Sequence, residues 1–154
     1  MRPLPALSRR NKLGPVNESE TAADEAALTD RLRAYVLEDD PDIAALEADI
    51  LREQGFSVVT CSRIVELGDL MDVALPHLLV VDVMLPDGDG GDITELLRRA
   101  WPGIPVVIVS AASRERLAEL APMGPVVAKP FDIETFASAV REALDDARDL
   151  RSAS

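Results

Sequence analysis

The chain holds 154 residues, 47% hydrophobic and 29% charged, which suits one domain of ordinary size with a packed core and excludes global disorder. Sixteen Lys and Arg against 28 Asp and Glu leave a formal charge of −12, so the surface repels nucleic acid and anionic membrane. A single cysteine, Cys61, and a single histidine, His77, exclude an internal disulfide, a cysteine zinc cluster and a multi-histidine metal site.

Residues 1–16 carry three prolines, four cations and no acid, without the apolar core of a signal peptide. Residues 18–32 favour helix, but their apolar stripe is thin. The expectation is a disordered or partly helical leader over 1–30, one domain over 31–150 and a disordered tail over 151–154. No apolar run approaches the roughly 20 residues of a membrane helix. With no export signal, the expected location is the cytoplasm.

From residue 31 short apolar runs recur: Ala34–Leu37, Phe56–Val59, Leu78–Val81, Val106–Val109 and Val126–Ala128. Four of the five do not alternate with polar residues, as strands buried on both faces of a parallel sheet do not. Between them lie stripes of helical period. Ile43, Leu46, Ile50 and Leu51 make the first, and Ile64, Leu67, Leu70 and Met71 a shorter second. Ile93, Leu96, Leu97, Ala100 and Trp101 make the third, and Ile133, Phe136, Val140 and Leu144 the last. Between Ser110 and Lys129 only Leu117 and Leu120 mark a stripe, so the fourth helix should be short or irregular. Gly55 and Pro102-Gly103 sit where helices should stop. Strands alternating with helices give an α/β class, a three-layer sandwich of βα units.

What ends each strand is the informative feature. The first ends in Glu38-Asp39-Asp40, the third in Asp82, the fourth in Ser110 and the fifth in Lys129. Ligands of open parallel sheets bind outside the carboxyl ends of the strands, so these residues face one crevice. Clustered carboxylates suit Mg²⁺, and one carboxylate can act as a nucleophile toward a phosphoryl group. A lysine supplies a point charge and a serine a hydrogen bond for phosphate oxygens. Lys129 is the only lysine after Lys12. Any one of these acids could be only a helix cap, but caps alone do not account for all four strand ends.

Four strings in order now carry a resemblance: Val36-Leu37-Glu38-Asp39-Asp40-Pro41-Asp42, Val80-Val81-Asp82-Val83-Met84-Leu85-Pro86-Asp87-Gly88, Ile108-Val109-Ser110-Ala111 and Lys129-Pro130-Phe131. Over about 31–147 the chain resembles the receiver domain of bacterial two-component response regulators. The resemblance implies a doubly wound, five-stranded parallel sheet with helices on both faces and the flavodoxin-like strand order 2-1-3-4-5. It implies that Asp82 accepts a phosphoryl group from the phosphohistidine of a histidine kinase or histidine-phosphotransfer protein. It further implies Mg²⁺ on Asp39, Asp82, the Met84 backbone carbonyl and, through water, Glu38. Ser110 and Lys129 would contact the phosphoryl group, and the Lys129-Pro130 bond would be cis. Glu38 departs from the commoner aspartate, and Val126 stands where many members carry an aromatic switch.

Other patterns carry less. Asp87-Gly88-Asp89-Gly90-Gly91-Asp92 looks like a calcium loop but has Gly91 and Arg98 where that loop needs ligands. The Leu78–Asp82 run lacks the GxxxxGK partner of a Walker B strand. His77 reads as a surface residue opposite the crevice, and Cys61 and Trp101 as packing residues. The favoured function is a phosphorylatable signalling receiver, a phosphoacceptor rather than an enzyme. It would be a monomer or weak homodimer, without an output domain of its own and with an unknown protein target. Two rivals are a phosphorylation-independent pseudo-receiver and a small aspartyl-phosphate phosphohydrolase. The second would want an acid two residues after the nucleophile, where Met84 stands.

Overall fold

A computed structural model describes residues 32–153 of the chain, so the expected leader lies outside the described residues. The elements run β1 (Leu32–Leu37), α1 (Pro41–Glu53), β2 (Phe56–Cys61), α2 (Ile64–Val73), β3 (Leu78–Val81), α3 (Gly90–Ala100), β4 (Val106–Ser110), α4 (Arg114–Leu120), β5 (Val126–Ala128) and α5 (Ile133–Ala153). A two-residue antiparallel hairpin pairs Met84 with Asp89 between β3 and α3, and a 3-10 turn (Ala121–Met123) follows α4. The last helix continues into the stretch expected to be a disordered tail.

The five strands are all parallel and lie in the order β2-β1-β3-β4-β5. Successive side chains of a strand point to opposite faces, and here both faces are covered. Ala34, Val36, Val80 and Val107 pack with Ile50 and Leu51 of α1 and Phe136 and Val140 of α5. Tyr35, Leu37, Val81 and Ile108 pack with Leu67 and Leu70 of α2, Leu97 of α3 and Leu120 of α4. All four residues of β3 are buried, as its unbroken apolar run requires.

The α2 stripe is buried as expected, with Leu67, Leu70 and Met71 in the core, but the other three faces differ in part from the stripes expected. On α1, Leu46 is 39% exposed and Glu47 takes the inward position at 1%. On α3, Leu96 is 58% exposed, Ala100 is exposed and Trp101, expected to pack, is 37% exposed. The small residues Gly90, Gly91 and Thr94 are buried instead. A side chain at Gly90 would put its Cβ 1.9 Å from the Asp82 carbonyl oxygen, so close approach of helix to strand sets the face. On α5, Ile133 is 58% exposed, and Phe136, Ala137, Ala139, Val140, Ala143 and Ala147 are the buried residues.

Gly55 has φ +98° just beyond α1, the left-handed conformation that ends a helix cheaply only with glycine. The fourth helix has only seven residues before its 3-10 turn, the short element that its weak stripe predicts.

Candidate functional site

Parallel pairing brings the carboxyl ends of β1, β3, β4 and β5 to one edge of the sheet, with Glu38, Asp82, Ser110 and Lys129 at or just beyond them. Backbone bonds continue the ladder into the site: Asp82 N donates to Leu37 O at 2.9 Å and Lys129 N to Ser110 O at 3.0 Å.

The acids of the first strand end divide their work. Asp40 is the N-cap of α1, its carboxylate accepting from the backbone N–H of Asp42 at 2.9 Å and of Ile43 at 3.2 Å. Glu38 is buried and accepts from Asp40 N at 3.2 Å, while Asp39 is exposed. Ligand oxygens of Glu38, Asp39 and Asp82 all lie within 4.8 Å of one another. Three carboxylates that close, two of them buried, form a donor set of the hard oxygen type that Mg²⁺ takes. Glu38 Oε1 already faces a cation, the Lys129 ammonium, while the exposed Asp39 carboxylate leaves the set open to a hydrated ion. The residues present therefore fit the metal.

Lys129 answers this negative charge. Its Nζ lies 2.6 Å from Glu38 Oε1 and 3.1 Å from Asp82 Oδ2. The other Asp82 oxygen accepts from Met84 N at 3.1 Å, so Asp82 is 4% exposed yet held from two sides. Met84 itself opens the hairpin with its side chain outward. Burial lowers the Lys129 pKa, but bonds to Glu38 and Asp82 outweigh it and the ammonium is stabilised overall. Burial raises Glu38 to about 7 against the pull of Lys129. Ser110 is fully buried and its hydroxyl accepts from Ala112 N at 3.2 Å. The Lys129-Pro130 peptide is cis.

The remaining motif residues find structural roles. Asp87 caps α2 from a distance, accepting from Ile64 N at 2.9 Å and Val65 N at 3.2 Å, and Asp89 caps α3 through Asp92 N at 3.0 Å. His77 is exposed at the opposite end of the sheet, where its Nδ1 accepts from Arg33 N at 2.9 Å. Cys61 is buried, and burial pushes its thiol up to about 12, so it packs rather than reacts.

Two polar features escaped the reading of the sequence. Glu47 lies inside the face between α1 and the sheet with neither carboxylate oxygen bonded, and burial together with the nearby Glu38 charge raises its pKa to about 8. Arg116 joins α4 to α3 through Asp89 and Asp92. The first hides where only apolar residues count toward a stripe; the second sits in a segment without a strong pattern.

The sequence pattern of the response regulator receiver domain matches residues 34–141. Among curated proteins, the probable transcriptional regulatory protein TcrX of Mycobacterium tuberculosis is 34% identical over 112 residues, 71% of this chain and 48% of that protein. The transcriptional regulatory protein CreB of Escherichia coli is 31% identical over 117 residues, 74% of this chain and 51% of its own length. The chain thus spans about half the length of these relatives. Among solved structures, a beryllofluoride-activated DrrB receiver domain superposes with a TM-score of 0.66 at 27% identity, covering 75% of this chain and 98% of that one.

Proposed function

Because this chain belongs to the response regulator receiver-domain family, we propose that Asp82 accepts a phosphoryl group from the phosphohistidine of a partner kinase or phosphotransfer protein, with Mg²⁺ as cofactor. The observation that carries this reading is the pairing of Asp82 with Lys129 at 3.1 Å beside the Glu38–Asp39 carboxylates.

Glu38, Asp39 and Asp82, with the Met84 backbone carbonyl, would hold the Mg²⁺, which when bound neutralises charge on the phosphoryl oxygens. The chain's own groups do the rest. An Asp82 carboxylate oxygen attacks phosphorus while the P–N bond to the donor imidazole breaks, and the imidazole leaves with that electron pair. Met84 N holds the other Asp82 oxygen, which fixes the carboxylate for in-line attack. Lys129 then has its ammonium beside the new aspartyl phosphate. Ser110 already accepts from Ala112 N, so its own O–H is the group left to donate to a phosphoryl oxygen.

Signalling rather than catalytic turnover is the role this supports, with self-phosphorylation from small donors as a side activity. The output would be altered binding of a protein target by a monomer or weak homodimer in the cytoplasm. Among the described residues no helix is long and apolar enough to cross a membrane. Incubation with labelled acetyl phosphate tests the reading. Wild type should take up label only with Mg²⁺, Asp82→Asn should take up none, and neither should turn over simple phosphate esters. Undiminished labelling of Asp82→Asn would place the phosphoacceptor elsewhere.

A further inference from the structure

At the sheet edge opposite the carboxylates lies a groove of about 690 Å³. It runs between the strand β4–β5 entrances and the C-terminal half of α5. One wall is apolar and rich in proline, with Pro102, Pro105, Pro122 and Pro125 beside Met123. The other wall is acidic, formed by Glu142, Asp146 and Asp149 of α5, all exposed. None of these three acids has an ion-pair partner among the described residues, whereas Glu134 on the same helix is paired to Arg141 at 2.7 Å. The cation in the lining, Arg98, does not neutralise them: its Nη1 donates to Met123 O at 2.6 Å. Leu150, 57% exposed, extends the apolar strip.

The groove therefore asks for a ligand that is both apolar and cationic. The chain carries such a segment. Residues 2–13 (RPLPALSRRNKL) hold Arg2, Arg9, Arg10 and Lys12 with three leucines, two prolines and no acid, in a chain whose overall charge is −12. They are attached at the right end of the molecule. The sheet is parallel, so the chain enters β1 at Leu32 on the same edge where Val106 and Val126 begin β4 and β5. In the order β2-β1-β3-β4-β5 those strands lie two and three places from β1, about 10–15 Å at ordinary strand spacing. Residues 14–31 supply 18 residues of connecting chain, and a random-coil chain of that length has a root-mean-square span of about 20–25 Å, more than the distance to be covered. Tethering at that range gives a millimolar-scale effective concentration, so a weak contact suffices.

We propose that residues 2–13 of this chain dock in the groove between the β4–β5 entrances and α5, their cations on Glu142, Asp146 and Asp149 and their leucines and prolines on the proline-rich wall. The inference is independent of phosphoryl chemistry at Asp82.

The test uses the full chain, spin-labelled at Ala6→Cys, with Cys61 left in place because its buried thiol does not compete for the label. At low salt the label should reduce amide signal intensity at the non-proline residues of 103–106, 121–126 and 142–150. Arg9→Glu with Arg10→Glu should abolish the loss, as should Glu142→Lys with Asp146→Lys. Combining the two pairs should restore it, an outcome that general unfolding or a changed net charge cannot give. Broadening spread evenly over the domain, or unchanged by either charge reversal, would overturn the proposal. Broadening of an unlabelled isotopic chain mixed with the spin-labelled one would overturn it in favour of a second copy's leader as the occupant.

Discussion

Arg116 Nη2 lies 2.7 Å from Asp89 Oδ1, and this one contact ties together the two segments that leave the carboxyl end of the sheet after β3 and β4. Asp89 closes the hairpin that follows Asp82 and caps α3, while Arg116 lies in the first turn of α4, which follows Ser110. The guanidinium also reaches Asp92 at 3.1 Å and Glu119 at 2.9 Å. Gly91 makes room, since a Cβ there would come within 2.7 Å of the guanidinium and of Leu120. Although burial acts to raise it, the Asp89 pKa is lowered overall by the Arg116 and Asp92 N–H bonds.

Arg116→Ala should therefore loosen α4 rather than unfold the domain. The pair is partly exposed, so the expected loss is about 1 kcal/mol or less. It should fall locally: amide exchange over residues 111–123 should accelerate while β1 and β3 stay protected. Labelling of Asp82 should persist. A uniform increase in exchange across the sheet would show that Arg116 is a global stabiliser and not a local strap.

Gly90 is the position where packing and site meet. Its N–H donates to Val83 O at 2.7 Å, and any Cβ would collide with the backbone of Asp82. Gly90→Ala forces β3 and α3 apart, with an expected cost of about 2–4 kcal/mol from overpacking against a rigid backbone. Gly103→Ala, at a glycine with open space around it, serves as the control. Denaturant midpoints and labelling rates for the two variants check this; equal effects would remove the argument from close approach.

Much of this site was legible because a parallel sheet puts every strand's carboxyl end on one edge, so the residue closing each apolar run is already a site candidate. Glu38, Asp82, Ser110 and Lys129 needed no more than that. The helix faces were less legible, because a stripe of large apolar residues marks a face only where the contact has room for them. Gly90, Gly91 and Thr94 fill the α3 contact, and four alanines share the α5 contact with Phe136 and Val140. Leu46, Leu96 and Ile133 therefore fall on apolar stripes and yet stay exposed. Glu47 could not be found by any apolar count, and the Arg116 strap depends on a tertiary approach that spacing does not encode.

Glu47 should make stability fall with rising pH. Its carboxyl is fully buried and unbonded, and its pKa rises from 4.5 to about 8 on folding. The neutral form is the one the interior tolerates, so the native state holds the proton more tightly than the unfolded chain does. The contribution is complete below about pH 4.5 and is lost as pH rises through about 8. Glu38, raised to about 7, adds to the same slope. Glu47→Leu should flatten the slope above pH 6 and raise stability at pH 8 by about 1–3 kcal/mol, since an apolar group replaces an unpaired buried acid. Urea titrations of both proteins between pH 5 and 8.5 give the answer; parallel curves would mean Glu47 is not the titrating group.

Mg²⁺ should stabilise the domain by mass action, because Glu38, Asp39 and Asp82 are assembled only in the fold. At a hundredfold excess over its Kd the gain is about 2.7 kcal/mol, visible as a rise in Tm that chelator reverses. Asp39→Ala removes the exposed carboxylate of the three without cutting into the core, so it should cancel the Mg²⁺-dependent rise. It should also leave the metal-free Tm unchanged or higher through relief of repulsion. A wild-type Tm that ignores millimolar Mg²⁺ would count against a metal at these residues.

A phosphoryl group at Asp82 should be felt elsewhere through the segment between Ser110 and Val126. Val126, partly buried at the head of β5, packs on the face that holds Ile108 and Met123 and has no ring to rotate. Coupling must then use the backbone between Ser110 and Val126, the segment of the seven-residue α4 and its 3-10 turn. That segment is anchored at one end by the Ser110–Lys129 backbone bond and braced in the middle by Arg116. A phosphoryl group contacting both Ser110 and Lys129 would tighten the first anchor. Beryllofluoride should therefore slow amide exchange mainly over residues 111–125. Ser110→Ala should blunt this protection while leaving labelling of Asp82 largely intact, because the hydroxyl meets the product and supplies no nucleophile. Arg116→Ala should leave the initial binding of beryllofluoride in place but enlarge the protection it produces, since the resting segment starts looser. Exchange over 111–125 that does not respond to saturating beryllofluoride would reject the tether and leave a phosphoryl carrier with no conformational output through α4.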